Sequence, residues 1–185
     1  MRVGVFGGEF DPPHLAHVAV VRAARSQLAL DRVLVVPAGS PPHRDASTTP
    51  AETRLRMAEL AFADEPRVEV TPIEIDRGGT SHTLETLQQL EPMGELFLIL
   101  GADQLASFAT WREPGRIREL ATLVVAPRPG TPIDDSQAVV LEMAPIDLSS
   151  TGVRSAIGEG GGDDLLPAAV LALIRAQGLY SGAPC

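Results

Sequence analysis

Short, nearly continuous apolar runs alternate along the chain with longer stretches in which apolar residues recur every three or four positions. The short runs predict buried strands, and the periodic stretches predict helices that pack by one face. Strands are predicted at residues 3–6, 32–36, 67–70, 73–75, 96–100, 123–126 and 138–141. Helices are predicted at residues 14–30, 51–63, 83–90, 165–177 and, in part, 106–120. The alternation predicts an α/β fold, a doubly wound parallel sheet whose most hydrophobic strand, at residues 96–100, is central.

The length of 185 residues is typical of one domain with a substantial core. We predict a single domain over residues 1–185, with a small C-terminal helical part at residues 148–180. No apolar run approaches the roughly 20 residues of a membrane span, and no charged-then-apolar leader precedes the first strand. We therefore expect a cytoplasmic protein without membrane association.

The charge balance restricts how this chain can bind an anion. The net charge is −9, and the fifteen basic residues are all arginine. Such an acidic chain is a poor general binder of nucleic acid, so a few placed side chains and backbone amides must hold any anionic ligand. The lack of lysine excludes a Walker A site, a pyridoxal Schiff base and a lysine nucleophile. The single cysteine, Cys185, excludes a disulfide within the chain.

The clearest chemical signal follows the first predicted strand, in Gly7-Gly8-Glu9-Phe10-Asp11-Pro12-Pro13-His14-Leu15-Ala16-His17. Anions bind at this position of parallel α/β sheets, because free N–H groups and the helix dipole point there and glycines let a ligand approach closely. We interpret the segment as a nucleotide-phosphate site in which His14 and His17, on one helix face, contact phosphate. A zinc pair and a structural helix cap are the alternatives for the histidines. Asp11 is expected to cap the helix rather than to act as a catalytic acid.

Further polar residues follow the other strands and are expected at the same edge of the sheet. They are His43, Arg44, His82, Asp103, Arg128 and the segment Ser149-Ser150-Thr151-Gly152-Val153-Arg154. Asp103 could cap the next helix or hold a ribose hydroxyl, and we favour the ribose. Ser149, Ser150 and Thr151 are typical of a helix N-terminus, and Arg154 one turn later would make it a phosphate cradle.

Two of these segments resemble the signatures of bacterial nucleotidylyltransferases. Residues Gly7 to His17 are similar to GG-x-FDP-x-H-x-GH, and Ser149 to Arg154 are similar to SS-T/S-x-I/V-R. Three more stretches resemble one branch, the bacterial nicotinate-mononucleotide adenylyltransferases: Pro37-Ala38-Gly39-Ser40-Pro41-Pro42-His43-Arg44, Ser81-His82-Thr83-Leu84-Glu85-Thr86-Leu87, and Gly101-Ala102-Asp103-Gln104 through Trp111. The resemblance spans nearly the whole chain. It agrees with a Rossmann-like form of the sheet and implies adenylyl transfer from ATP to nicotinate mononucleotide, giving nicotinate adenine dinucleotide and pyrophosphate in NAD biosynthesis.

The resemblance also implies roles for individual residues. The residues implied to act on the ATP phosphates are His14, His17, Arg44 and Arg154. Further ATP contacts are implied for Gly7, Gly8, Phe10, Gly101, Asp103, Ser150 and Thr151. Contacts to nicotinate mononucleotide are implied for Thr83, Arg128 and Trp111, whose indole would stack on the pyridine ring. Mg²⁺ would accompany ATP as the cofactor, and no metal site held by the protein alone is expected.

Three positions depart from the family pattern. Glu9 stands where a threonine is usual, which brings a carboxylate to a phosphate site, so that it must point away, bind magnesium or weaken the site. Ala16 replaces a glycine between the histidines and adds a methyl group near the expected adenine. His82 stands where a tyrosine is common, which alters the wall of the nicotinate pocket.

The reaction itself needs no general base. A nucleotide phosphate is already an oxyanion at neutral pH, so its attack on the α-phosphorus of ATP requires positioning and charge neutralisation. Two other functions are considered: an adenylyl transferase for another phosphorylated acceptor such as phosphopantetheine, and a non-catalytic nucleotide sensor. The sequence leaves open the choice between nicotinate and nicotinamide mononucleotide, and the formation of a homo-oligomer.

Overall fold

The computed structural model describes residues 1–40 and 49–181. Within them, parallel strands form one six-stranded sheet with the order β3-β2-β1-β4-β5-β6. The strands are β1 (Arg2–Gly8), β2 (Arg32–Pro37), β3 (Val68–Val70), β4 (Glu95–Gly101), β5 (Ala121–Ala126) and β6 (Val139–Val140). This is the strand order of the Rossmann fold, so the predicted doubly wound fold is confirmed.

Helices connect the strands and cover both faces of the sheet. They are α1 (Leu15–Gln27), α2 (Ala51–Phe62), α3 (Ile73–Arg77), α4 (Thr83–Leu90), α5 (Ala102–Ser107), α6 (Pro114–Leu120), α7 (Ser150–Gly158) and α8 (Ala168–Gln177), with 3₁₀ turns at Glu91–Met93 and Phe108–Thr110. In the described ranges, each helix is too short or too polar to cross a lipid bilayer.

Two of the predicted elements need correction. Residues 73–75 form the start of α3 and not a strand, because Pro72 turns the chain and its carbonyl accepts the Asp76 N–H at 2.8 Å. Three residues of alternating apolar and acidic character fit one helical turn as well as a strand. The last helix begins at Ala168 and not at residue 165, because the residue before Pro167 is disfavoured in helical conformation.

Side chains of the strands alternate between two buried clusters, one on each face of the sheet. On one face, side chains such as Phe6, Val35 and Ile99 pack with α1, α2 and α8. On the other face, Val5, Leu34 and Leu98 pack with α4 and α6. Both faces are therefore closed by helices, and the carboxyl ends of the strands form the edge where a ligand can enter.

The centre of that edge lies at β1 and β4. From β1 the chain crosses to β2 on one side, whereas β4 leads to β5 on the other side. A crevice opens at such a reversal of strand order, and ligands of this fold bind there. The glycines at the end of β1 and the start of α5 after β4 both lie at this point. The buried Val153, Val170 and Ile174 hold α7 and α8 against the same core.

Candidate functional site

Two neighbouring cavities open at the carboxyl ends of β1 and β4. The first has a volume of about 290 Å³ and lies towards α4 and Trp111. The second has a volume of about 200 Å³ and lies towards α1 and the start of α7. Gly7, Gly8, Glu9 and Gln104 line both cavities. Within the described residues, the end of β1 with Glu9 and the first turn of α5 therefore lie between the two cavities.

The glycines at the end of β1, Gly7 and Gly8, leave room at the surface and allow close packing beneath it. Among residues 1–40 and 49–181, nothing lies within 4 Å of a Cβ atom built at Gly7, which leaves room for a ligand beside the Gly7 backbone. A Cβ atom at Gly8 would come to 3.0 Å from the Phe10 ring. Phe10 itself is buried with a φ of 52°, a left-handed conformation that a non-glycine residue adopts only when its surroundings hold it. The Phe10 ring thus supports the turn from below.

The hydrogen bonds of His14 and His17 fix the state of the second imidazole. His14 is the N-cap of α1, and its backbone N–H donates to Nδ1 of His17 at 3.1 Å. Since Nδ1 accepts, the ring proton of neutral His17 resides on Nε2. The two imidazoles stack with their centroids 3.7 Å apart, and the Phe10 ring lies edge-on to His17 at 5.1 Å. The site therefore holds an oriented N–H donor beside the second cavity.

Both histidines are held neutral. Burial, and after it the nearby Arg128 guanidinium, lowers the pKa of His14 to about 4. Burial followed by the charges of His14 and Arg128 lowers the pKa of His17 well below its ordinary value. Desolvation and a like charge both oppose a second cation, so the pair acts as neutral hydrogen-bonding groups at physiological pH.

The zinc interpretation of the histidine pair loses support. Nδ1 of His17 is already engaged by the His14 N–H, and stacked rings do not converge on a common point. In residues 1–40 and 49–181, no three histidine, cysteine, aspartate or glutamate side chains form a group that could hold a metal ion. By contrast, Nδ1 of His14 is buried and makes no hydrogen bond within the described protein, which suits a donor or acceptor kept for a ligand.

Asp11 does not cap α1, and that prediction is wrong. His14 takes the N-cap position, since Pro12 and Pro13 separate Asp11 from the helix by two residues that lack an N–H group. Asp11 is 4% exposed, and its carboxylate accepts a hydrogen bond from the hydroxyl of Tyr180. Its carbonyl accepts from Nη1 of Arg154 at 2.7 Å. Asp11 is therefore an anchor that joins the turn after β1 to the C-terminal helices.

The remaining wall of the second cavity comes from β4, β5 and α7. Asp103 lies in the first turn of α5, where Gly101 and not Asp103 is the N-cap, so the capping alternative is wrong. Its exposed carboxylate faces Nε of Arg128 at 3.4 Å. Ser149 is the N-cap of α7, with its hydroxyl accepting the Gly152 N–H at 3.1 Å, as predicted for this segment. Ser150 and Thr151 line the cavity beside it.

The first cavity combines an aromatic wall with polar groups at one end. The half-buried Trp111 packs on Phe108 with ring centroids 5.4 Å apart and lines the cavity together with Thr83 and His82. Thr83 is the first residue of α4 and lines the cavity together with Leu84, so the N-terminus of that helix borders this region. The arrangement suits a flat ring that carries an anionic substituent.

The structure places two of the predicted site residues, Arg128 and Arg154, differently from the sequence prediction. Arg128 lines the second cavity with the histidines and not the first cavity with Thr83 and Trp111. Arg154 lies behind Thr151, where Nη2 donates to the Thr151 hydroxyl at 3.3 Å, and it does not line either cavity. Arg44 and His43 lie outside the described residues. Of the departures from the family pattern, Glu9 lines both cavities, Ala16 the second and His82 the first.

Two buried polar residues at this edge, Arg54 and Glu74, are not among the site residues predicted from the sequence. Arg54 lies on the face of α2 that also carries Met57, Ala58 and Ala61, and an arginine at the apolar positions of a helix was the available signal. Glu74 lines the first cavity and accepts a hydrogen bond from the Thr86 hydroxyl at 2.6 Å. No comparable sequence signal marks Glu74, because the pattern of residues 73–75 predicts a strand.

Comparison with known proteins gives a consistent family. The cytidylyltransferase-like family model matches residues 5–156. A probable nicotinate-nucleotide adenylyltransferase of Thermus thermophilus is 43% identical over 97% of this chain and 100% of its own length. One from Roseiflexus is 44% identical over 96% of this chain and 97% of its own. The Plasmodium falciparum nicotinic acid mononucleotide adenylyltransferase complexed with NaAD has a TM-score of 0.81 at 16% identity, covering 97% of each chain, which shows a common fold.

Proposed function

The chain belongs to the nicotinate-nucleotide adenylyltransferase family of cytidylyltransferase-like proteins, and from this premise we propose that it transfers the adenylyl group of ATP to nicotinate mononucleotide. The products are nicotinate adenine dinucleotide and pyrophosphate, so the reaction belongs to NAD biosynthesis. Both substrates are charged small molecules that do not cross a lipid bilayer unaided. We accordingly propose the cytoplasm as the place of action.

The observation that carries the proposal is the shared wall of the two cavities. A transfer between two nucleotides requires two binding sites whose phosphate ends meet within bonding distance. Gly7, Gly8 and Glu9 border both cavities, and no atom of the described residues would lie within 4 Å of a Cβ atom at Gly7. The acceptor phosphate and the α-phosphorus of ATP can therefore meet above this turn.

ATP is assigned to the second cavity. Nε2 of His17 is the oriented donor for a phosphate oxygen, and the orphaned Nδ1 of His14 supplies a second polar contact. The N-terminus of α7, with Ser150 and Thr151, offers backbone N–H groups for the same anion. Arg128 adds positive charge here, so we assign it to ATP rather than to the acceptor.

The side of the second cavity formed by β4 suits the sugar of ATP. Asp103 is exposed at the end of β4, and its carboxylate can accept hydrogen bonds from ribose hydroxyls. A Cβ atom at Gly101 would come to 2.4 Å from Oδ1 of Asp103, so glycine is required for this position of the carboxylate.

Nicotinate mononucleotide is assigned to the first cavity. The Trp111 indole offers an apolar face of the size of a pyridine ring, and offset stacking of two flat rings is favourable. The N-terminus of α4 at Thr83 places backbone N–H groups and the positive end of the helix dipole near the ring carboxylate. The choice of nicotinate over nicotinamide follows from these donors, which pair with an anion better than with an amide.

Mg²⁺ is the proposed cofactor, carried by the phosphates of ATP. Mg²⁺ bound with a nucleotide takes most of its ligands from phosphate and water and needs only one or two protein oxygens. The described residues contain no group of three or more histidine, cysteine, aspartate or glutamate side chains that could hold a metal ion. Glu9 lines both cavities and is the candidate for a protein ligand. When bound, the ion would neutralise charge on the triphosphate.

The reaction proceeds by displacement at the α-phosphorus. A phosphate oxygen of nicotinate mononucleotide forms the new P–O bond, and the bond to the bridging oxygen of the β-phosphate breaks, so pyrophosphate leaves with the electron pair. The attacking group is already an anion and no proton is removed. The protein aligns the two reacting phosphates over Gly7 and Gly8. Neutral His17 donates hydrogen bonds to the charge that develops on the leaving group.

Pyrophosphate release tests the proposal directly. The purified protein is incubated with ATP, Mg²⁺ and one of nicotinate mononucleotide, nicotinamide mononucleotide or phosphopantetheine, and the dinucleotide product is identified by mass. We expect release with nicotinate mononucleotide and the mass of nicotinate adenine dinucleotide. Release only with phosphopantetheine would assign a different acceptor, and ATP binding without release under any condition would make the protein a sensor.

A further inference from the structure

A buried arginine connects the segments that border the two cavities. Arg54 is 2% exposed and lies on the face of α2 that packs into the core with Met57 and Ala58. An arginine cannot lose its charge in a protein, and burial of a charge is costly unless its hydrogen-bonding groups are satisfied. Placement of this guanidinium in the core therefore requires hydrogen-bond acceptors for its N–H groups.

Each nitrogen of the Arg54 guanidinium donates to a backbone carbonyl of a different segment. Nε donates to the Thr49 carbonyl at 3.2 Å, Nη1 to the Glu9 carbonyl at 2.9 Å and Nη2 to the Gly39 carbonyl at 3.0 Å. The guanidinium is planar and rigid, so three such bonds fix the relative positions of the three carbonyls. The ammonium of a lysine lacks this geometry.

One of these carbonyls belongs to a residue that lines both cavities, and a second belongs to a segment packed against the wall of the first cavity. Glu9 lies in the turn after β1 that both cavities share. Gly39 follows β2, and its N–H donates to the Ser81 hydroxyl at 3.0 Å. A Cβ atom at Gly39 would come to 2.8 Å from the Glu74 carbonyl, so this segment packs directly on the α3–α4 side of the first cavity. Arg54 thereby joins the shared turn to the far wall of the first cavity.

We propose that Arg54 is a positioning residue for adenylyl transfer, because its guanidinium holds the turn after β1 in register with the segment after β2 and so sets the distance between the two bound phosphates. The inference rests on the proposed function. Arg54 does not line either cavity in the described residues, so it acts through Glu9 and Gly39 and not by contact with substrate. A misplacement of about 1 Å at reacting atoms costs about 10²-fold in rate.

A purely structural arginine would behave differently. Its loss would lower the melting temperature but leave kcat and both KM values unchanged while the protein stays folded. A positioning residue governs alignment in the ternary complex, so its loss lowers kcat and changes the binding of each separate substrate much less.

The test compares Arg54→Lys and Arg54→Met with a matched control, Arg56→Met. Arg56 lies two residues along the same helix, is exposed and pairs with Glu59 at 2.9 Å. For each protein, kcat and both KM values are measured by pyrophosphate release below the melting temperature, and ATP binding is measured by calorimetry. We expect kcat to fall about 30- to 100-fold in both Arg54 variants, ATP affinity to change less than about threefold, and Arg56→Met to match the unmodified protein.

Several outcomes would overturn the proposal. A kcat within about twofold of the unmodified protein in folded Arg54→Lys would reduce Arg54 to a structural residue, and a loss confined to ATP affinity would do the same. Where the Arg54 variants are too unstable to purify, Ser81→Ala tests the same connection from its other end, with an expected loss of about tenfold in kcat. An unmodified protein without turnover on any acceptor would instead refute the proposed function, and this inference with it.

Discussion

The imidazole of His14 lies face to face with that of His17, with ring centroids 3.7 Å apart and an angle of 16° between the planes. At this distance two imidazolium ions would repel each other strongly, and burial opposes each charge in addition. The arrangement therefore favours the neutral form of both imidazoles. Their protonation is linked to the stability of the whole domain.

Stability should fall as the pH drops from 7 to 5. The pKa of His14 is 6.5 in the unfolded chain and about 4 in the folded protein, so between these values the unfolded state binds more protons and is favoured by acid. The contribution of His14 amounts to roughly 2 kcal/mol between pH 7 and pH 5, and His17 acts in the same direction. Urea unfolding at both pH values checks this. The loss should be smaller by that amount in His14→Gln, and equal losses in both proteins would contradict the assigned cause.

Removal of the His17 side chain should affect turnover more than folding. His17→Ala takes away the Nε2–H donor to the leaving pyrophosphate, and loss of one such donor costs about 10²-fold or more in kcat. Steady-state pyrophosphate release measures the effect. Leu15→Ala is the matched control, because Leu15 is 43% exposed in the same turn of α1. Near-normal turnover of His17→Ala with intact ATP binding would remove His17 from the mechanism.

Trp111 should determine affinity for the acceptor and not for ATP. Trp111→Ala removes the aromatic wall of the first cavity, and we expect KM for nicotinate mononucleotide to rise about tenfold, corresponding to about 1.4 kcal/mol of stacking and burial. Trp111→Phe keeps a flat ring and should recover most of the affinity. The KM values for nicotinate mononucleotide and for ATP are measured separately. A rise in the KM for ATP alone would show that the indole contacts ATP and not nicotinate mononucleotide.

Tyr180 should contribute to stability through Asp11. Burial, and then the hydrogen bond to Asp11, raises the pKa of Tyr180 above its ordinary value, so its hydroxyl stays protonated and donates to the Asp11 carboxylate. Tyr180→Phe keeps the ring and removes this donor, which should lower the free energy of unfolding by about 1–2 kcal/mol. Ser181→Ala removes a solvent-exposed hydroxyl that donates to the Gly178 carbonyl at 2.6 Å, and it should lower the free energy of unfolding by less than Tyr180→Phe does. Equal unfolding curves for Tyr180→Phe and the unmodified protein would show that the hydroxyl bond is not stabilising.

Local patterns in the sequence determined the fold and the main elements of the site. Runs such as residues 96–100 predicted the central strand because a strand buried on both faces must be apolar throughout. The two glycines and two histidines that follow the predicted strand at residues 3–6 predicted an anion site. Ser149 is the N-cap of α7, as its residue type indicates. These properties depend on neighbours within a few residues, which periodicity and residue type describe.

The tertiary structure alone decided which distant residues meet. It places Arg128 beside His14 and not beside Trp111, it joins Tyr180 to Asp11 across 169 residues of sequence, and it makes Arg54 a link between Glu9 and Gly39. It also turns residues 73–77 into a helix that packs Glu74 into the wall of the first cavity. Such contacts depend on the order and twist of the strands and on the packing of helices against them. A short sequence pattern contains none of that information, because the same pattern is compatible with many distant partners.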